Sequence, residues 1–161
     1  MPQPLFFNKI KFIPSIEVTI HRGFWSFIFL LIVIIFLGKF KIFLNIFKSY
    51  KIILVLTITS ILILINWASF IFAVSINRVQ DASMGYFISP LISIALGYFF
   101  LNEKISILKI ISIILMLIAL IFLIFNIKAL PYLAIIISIS WGLYGLLRKQ
   151  INISPEIGLL Y

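Results

Sequence analysis

Seven residues set inside long apolar stretches could do chemistry in this chain: Asn66, Trp67, Tyr86, Ser89, Pro90, Trp141 and Tyr144. An amide, a hydroxyl and a phenol exchange hydrogen bonds, while indole and phenol rings offer flat apolar walls with a polar edge. A proline inside a helix withholds an N–H and frees a carbonyl one turn back, here that of Tyr86. This is chemistry for gripping a polar solute. Asn66 is the most informative member, because an amide near the middle of an apolar run is costly unless it finds hydrogen bonds on another helix or along a watery path. Trp67 fits an aromatic packed between helices as well as a solute contact.

Proton, nucleophile and metal chemistry have little to work with. His21 is the sole imidazole and sits beside Arg22 at the edge of an apolar run, as an interfacial contact would. The four acids, Glu17, Asp81, Glu103 and Glu156, fall between the apolar runs, so no triad, carboxylate pair or metal cluster can be assembled. No phosphate-binding G-x-x-x-x-G-K-S/T loop occurs either. An enzyme is not expected, and no cofactor or metal is called for. Intramembrane carboxylates are the usual sites of proton coupling, and the runs hold none.

The elements that must position the seven are helices. Of 161 residues, 64% are hydrophobic and 11% charged, against roughly 45–50% and 25% in soluble domains; the mean hydropathy is +1.29. Residues 23–38, 52–77, 82–102, 105–127 and 129–147 form five apolar runs, the fourth carrying only Lys109 near its start. A membrane-crossing helix takes roughly 17 to 25 such residues, whereas transmembrane strands run to about 10 and alternate in polarity. The fold class is therefore an all-α integral membrane protein with about five transmembrane helices, in contact with the lipid bilayer.

Inside the spans, polar and small residues keep to faces. Thr59, Asn66, Ser69, Ala73 and Asn77 share one face of the second helix. Gly85, Ser89, Ser93 and Gly97 recur every fourth residue in the third, and Ala134, Ser138 and Gly142 do so in the fifth. Small residues let helix backbones approach closely in lipid, so Gly85, Ser93, Gly97, Ser138 and Gly142 read as helix-packing positions. Tyr86, Ser89 and Pro90, a phenol, a hydroxyl and a freed carbonyl within one turn, point to a cavity. The first and fourth helices, nearly uniform Ile, Leu and Phe, read as lipid-facing walls. Asp81 is expected to cap the third helix, and Glu103 to begin the fourth.

The formal charge of +9 marks loops rather than nucleic-acid binding. Lys9, Lys11, Arg22, Arg78 and Lys128 fall on one side of the alternating spans; Lys39, Lys41, Lys48, Lys51, Lys104, Lys109, Arg148 and Lys149 fall on the other. By the positive-inside rule the second set faces the cytoplasm. Residues 1–22 then form an outward-facing N-terminal segment, without a cleavable signal, and 150–161 a truncated cytoplasmic tail. Cysteine is absent, so no disulfide reports the compartment.

Three stretches, HRGFWSF at 21–27, NWASFIFAVSINRVQDASMGYFISPLISIALGYFFLNEKIS at 66–106 and LPYLAIIISISWGLYGLLRKQ at 130–150, resemble in order and spacing a RarD-type member of the EamA branch of the drug/metabolite transporter superfamily. The resemblance covers nearly the whole chain from about residue 5; Ser89 departs from it, standing where the family more often has Asn. It implies a ten-helix, inverted-repeat transporter fold of the kind that binds solute between its halves. It also implies that these runs are the second to sixth helices of such a fold, so that the sequence reads as an internal piece. The function implied is a bacterial inner-membrane permease for a small organic solute or drug-like metabolite, working by alternating access. Its partners would be that solute and a second chain supplying further helices, or a second copy forming a homodimer. The alternatives are a non-transporting membrane subunit and an inactive remnant of a split gene.

Overall fold

The computed structural model describes residues 14–125, 131–151 and 153–161. Residues 1–13 of the expected N-terminal segment, and Lys128 with the ends of the two runs that meet there, lie outside the described residues. Within them every regular element is helical: α1 Ser15–Phe36, α2 Phe40–Ile46, α3 Tyr50–Ser75, α4 Val79–Leu101, α5 Ile107–Phe125, α6 Tyr132–Lys149 and α7 Pro155–Leu160.

Helices stop where the backbone turns left-handed. Gly38, Asn77 and Asn102 have φ of 65°, 62° and 51°, a region open to glycine and tolerated by asparagine. After α1, Lys39 N–H donates to Ile34 O and Gly38 N–H to Ile35 O; after α3, Arg78 N–H donates to Ala73 O and Asn77 N–H to Val74 O. Both pairs are the crossed bonds that satisfy the last carbonyls of a helix. Asn77 therefore closes α3 instead of extending its polar face.

Among the described residues, three helices are long and apolar enough to cross a membrane, over Ile16–Phe36, Tyr50–Ser75 and Val79–Leu101, and the apolar Ile107–Leu123 is shorter. The fifth expected span, α6, is the least apolar of the five, and packing explains why. It lies against both α3 and α4 and buries Ala134, Ser138, Ser140 and Gly142, so neighbouring helices take the place of lipid along that face.

Several expectations are corrected. α1 begins at Ser15, not Gly23, and carries Glu17, His21 and Arg22 in its first turns. A run bounded by charges misses helical turns that still hold them. Nor is α1 wholly a wall: Thr19 and Ile34 are buried, and the helix packs on α3 and α7. α5 does fit a wall, since it packs on α4 and exposes Leu108, Ile111, Leu115 and Phe122. Residue 81 is no cap: α4 starts at Val79 after Arg78, and Asp81 sits in the first turn 2.9 Å from Arg78, where a carboxylate suits the positive end of the helix dipole. Glu103 lies between α4 and α5, its N–H on Gly97 O. The expected tail is partly ordered as α7.

Two apolar clusters cap a polar middle. Phe70, Ile71, Val74, Ala82, Leu133 and Ile137 join α3, α4 and α6 toward one end; Ile34, Ile46, Leu56, Ile157 and Leu160 join α1, α2, α3 and α7 at the other. That second end is also the ionic one. Lys39 pairs with Glu156, and Lys149 with Glu103, so the α1–α2, α4–α5 and α6–α7 links share an end. At the opposite end the Arg78 guanidinium covers the Tyr132 ring at 4.5 Å.

Hydrogen bonds from Lys149 and Lys39 hold the Glu103 and Glu156 carboxyls below their ordinary values. With a folded pKa below the unfolded one, each pair contributes fully above the ordinary carboxylate range, and its contribution is lost as pH falls through the depressed value. A nitroxide at Ile107, an exposed site next to the α4–α5 link, should therefore gain mobility as the pH drops below about 4. Unchanged spectra down to about pH 2.5 would contradict this.

Candidate functional site

The polar middle is built on Asn66. Its side chain is fully enclosed, and its Nδ2 donates to Ile137 O at 2.9 Å and Ser140 Oγ at 3.2 Å, both on α6. Its Oδ1 accepts from the Tyr86 hydroxyl of α4 at 3.2 Å. One amide thus joins three helices, which is the partnership that a mid-span asparagine requires.

Small residues make that approach possible. A Cβ on Gly85 would lie 2.7 Å from Ile137 Cβ, and one on Gly142 would lie 2.5 Å from Ile92 Cγ2. The four-residue ladder of α4 does not stay in this seam. Each step of four turns about 40° past a full circle, so Gly85 and Ser89 are buried, Ser93 is exposed, and Ile92 and Leu96 meet Gly142 instead. Gly97, further round, is buried under the Glu103 carboxylate. Ser138 is buried on α6 and donates to Ile135 O. Gly85 and Gly142 are thus engaged within the chain, which leaves Ser93 as the member of the α4 ladder open to a neighbour.

In front of Asn66 runs an aromatic strip. Phe70 and Tyr86 ring centroids are 5.7 Å apart, Tyr86 and Trp141 6.4 Å and edge-on, Trp141 and Tyr144 5.5 Å and stacked. Tyr86 is 41% exposed and Trp141 38%, so the strip is a surface rather than a filled core. At Tyr144 it meets a cavity of about 280 Å³ between α1, α3, α6 and α7, whose walls include Trp67, Tyr144, Phe27 and Leu160 and the hydroxyl residues Thr19, Ser26, Thr59 and Ser60. Thr59 and Ser60 both donate back to Leu56 O, and Tyr161 OH lies 2.9 Å from Thr57 Oγ1 where α7 closes the lower side.

Of the seven residues singled out by type and spacing, the structure joins five: Tyr86, Trp141, Tyr144 and Trp67 form one continuous surface, with the enclosed Asn66 bonded to Tyr86 behind it. Ser89 and Pro90 stand apart. Ser89 is buried with its hydroxyl on Gly85 O at 2.8 Å, and Pro90 is exposed on a helix that continues unbroken past it. Four cavity residues of α1 are not among the residues singled out by type and spacing, Thr19, Gly23, Ser26 and Phe27, nor is Arg22, whose guanidinium lies over the Trp67 ring at 4.3 Å. Thr19 lies before the run that starts at Gly23, so its helical spacing of four and three to Gly23 and Ser26 does not show within that run. The groups presented are hydroxyls and aromatic faces, with the Arg22 guanidinium behind Trp67, which suit a small molecule with both polar and apolar parts.

Comparison with known proteins agrees with this architecture. The model of the EamA-like transporter family matches residues 4–125. An uncharacterized transporter, YojE, of Bacillus subtilis is 38% identical over 159 residues, 97% of this chain and 53% of that protein. Protein RarD of Escherichia coli is 31% identical over 157 residues, 98% and 53% respectively. An uncharacterized transporter of Vibrio cholerae is 33% identical over 157 residues, 97% and 52%. The chain spans about half the length of the curated relatives it matches. No solved structure matches it.

Proposed function

The chain belongs to the EamA-like transporter family, and from that premise we propose that it is a permease, or part of one, carrying a small organic solute across a bacterial inner membrane by alternating access. The observation that carries this reading is the surface of Tyr86, Trp141, Tyr144 and Trp67, backed by the Asn66 network at mid-depth. Exposed aromatics beside buried hydrogen bonds in a membrane bundle suit a solute that is held weakly enough to leave again. Trp67, Tyr86, Trp141 and Tyr144 touch the solute in this reading, while Asn66, Ser89 and Pro90 shape the helices that present them. The ionic end, with its eight basic residues, faces the cytoplasm.

Since the relatives are about twice as long, the site is completed by further helices, from the same polypeptide, a second chain or a second copy. The test is solute flux through the chain completed to its relatives' length, with Trp141→Ala and Tyr86→Phe compared with wild type. Trp141→Ala should raise the apparent KM about tenfold, as the loss of an aromatic contact does, and Tyr86→Phe about threefold. Wild-type kinetics in both variants would remove the strip from the solute path.

A further inference from the structure

Arg22 stands in the second turn of α1, and its guanidinium rests over the Trp67 ring at 4.3 Å. It also lies within electrostatic reach of the Tyr86 phenol. Trp67 is well inside α3: eight residues separate it from the helix end at Ser75, or about 12 Å. With α3 centred in a hydrocarbon layer of about 30 Å, the guanidinium lies roughly 7 Å below the boundary.

A cation at that depth normally finds a carboxylate. Among the described residues the ion pairs are Lys39–Glu156, Arg78–Asp81 and Lys149–Glu103, and none includes Arg22. Glu17, five residues earlier on the same helix, falls about 140° round its axis. The indole face offsets part of the cost of burying the charge, but it accepts none of the guanidinium's five N–H bonds. Beside it the cavity wall has Thr19, Ser26 and Trp67, with Phe27 and Leu64 for an apolar body and no acidic side chain.

Arg22 does not itself line the cavity but flanks it, stacked on the Trp67 that does and one residue before the lining Gly23. We infer that it recognises an anionic group of the solute, an organic anion with a carboxylate-like head reaching Arg22 and an apolar or aromatic body against Trp67 and Phe27. The inference rests on the reading of the cavity as a solute site and adds the solute's charge. A fork of N–H donors in a low-dielectric wall binds a planar anion far better than its neutral isostere.

The test uses the chain completed to its relatives' length, with Trp141 left in place, in phosphatidylcholine vesicles, and reads quenching of its tryptophan fluorescence. The probes are 4-bromobenzoate and 4-bromobenzamide, near-isosteric quenchers that differ in charge. The expected result is saturable quenching about tenfold tighter for the carboxylate. Arg22→Gln should bring the ratio close to one, and Arg22→Lys should keep part of the preference, since the charge remains without the fork. Saturable quenching by both probes without preference, or a preference that survives Arg22→Gln, overturns the anion assignment and leaves the solute cavity standing. Absence of saturable quenching by either probe overturns both. Loss of the preference when phosphatidylglycerol is added assigns the guanidinium to lipid phosphate and overturns a solute role.

Discussion

Leucine at position 85 should part α4 from α6 and leave little natively packed protein. A first side-chain carbon there falls 2.7 Å from both Cβ and Cγ2 of Ile137 and 3.1 Å from the Ala134 carbonyl oxygen. The Ala134 contact is backbone, so no rotamer change relieves it. Overpacking of one or two methylenes costs about 1–3 kcal/mol in a close-packed core; four added carbons against a helix backbone should exceed that and open the seam. Alanine should be intermediate. Gly145 on α6 is the control, because a Cβ there meets nothing within 4 Å, and Gly145→Leu should be tolerated. The measurement is the unfolding midpoint in mixed micelles titrated with sodium dodecyl sulfate. Equal midpoints for Gly85→Leu and wild type would show that α4 and α6 do not meet at Gly85.

Removing Asn66 should have the second largest effect, and the ranking of its replacements carries the information. Leucine fills the volume but deletes the bonds to Ile137 O, Ser140 Oγ and Tyr86 OH. Stranding buried polar groups costs about 1–3 kcal/mol each in water-soluble cores, and interhelical bonds in membranes average nearer 0.6 kcal/mol. A total of about 2 kcal/mol is expected. Aspartate should be worse, because a carboxylate cannot donate to the Ile137 carbonyl and would bury a charge with too few partners. Tyr86→Phe should cost less in the Asn66→Leu background than in wild type, since the bond it removes is already gone. Strict additivity, or an aspartate variant as stable as the wild type, would mean that the amide does not hold the three helices together.

Much of this was legible before the fold was known. A mid-span amide declares that it has partners, and a phenol and two small-residue ladders at helical spacing declare faces; these pointed to Asn66, Tyr86, Gly85 and Gly142. The identity of the partners was not legible. Nothing local says that the Asn66 amide reaches Ile137 and Ser140, 71 and 74 residues away, because helix order in a bundle depends on which faces fit. The same limit hid where the ladder divides: Ser93 shares the spacing of Gly85 and Ser89, but its angle turns it out of the α4–α6 seam. In a linear scan Arg22 reads as a loop charge, since charges bound the apolar runs there, while a helix carries them on whichever face a neighbour accepts.

Composition and the length of the apolar runs were enough to make this an all-helical membrane protein, since lipid admits few ways to satisfy a backbone without water, and the polar spacing was enough to name the helices that carry its chemistry. The tertiary structure alone decided that α6 is the helix on which α3 and α4 converge, that a cavity opens between α1, α3, α6 and α7, and that an arginine lies over its tryptophan wall. Hydrophobicity places a helix in the membrane without choosing its neighbours; between helices in lipid, that choice falls to close packing and a few directional bonds, which exist only once distant segments have met.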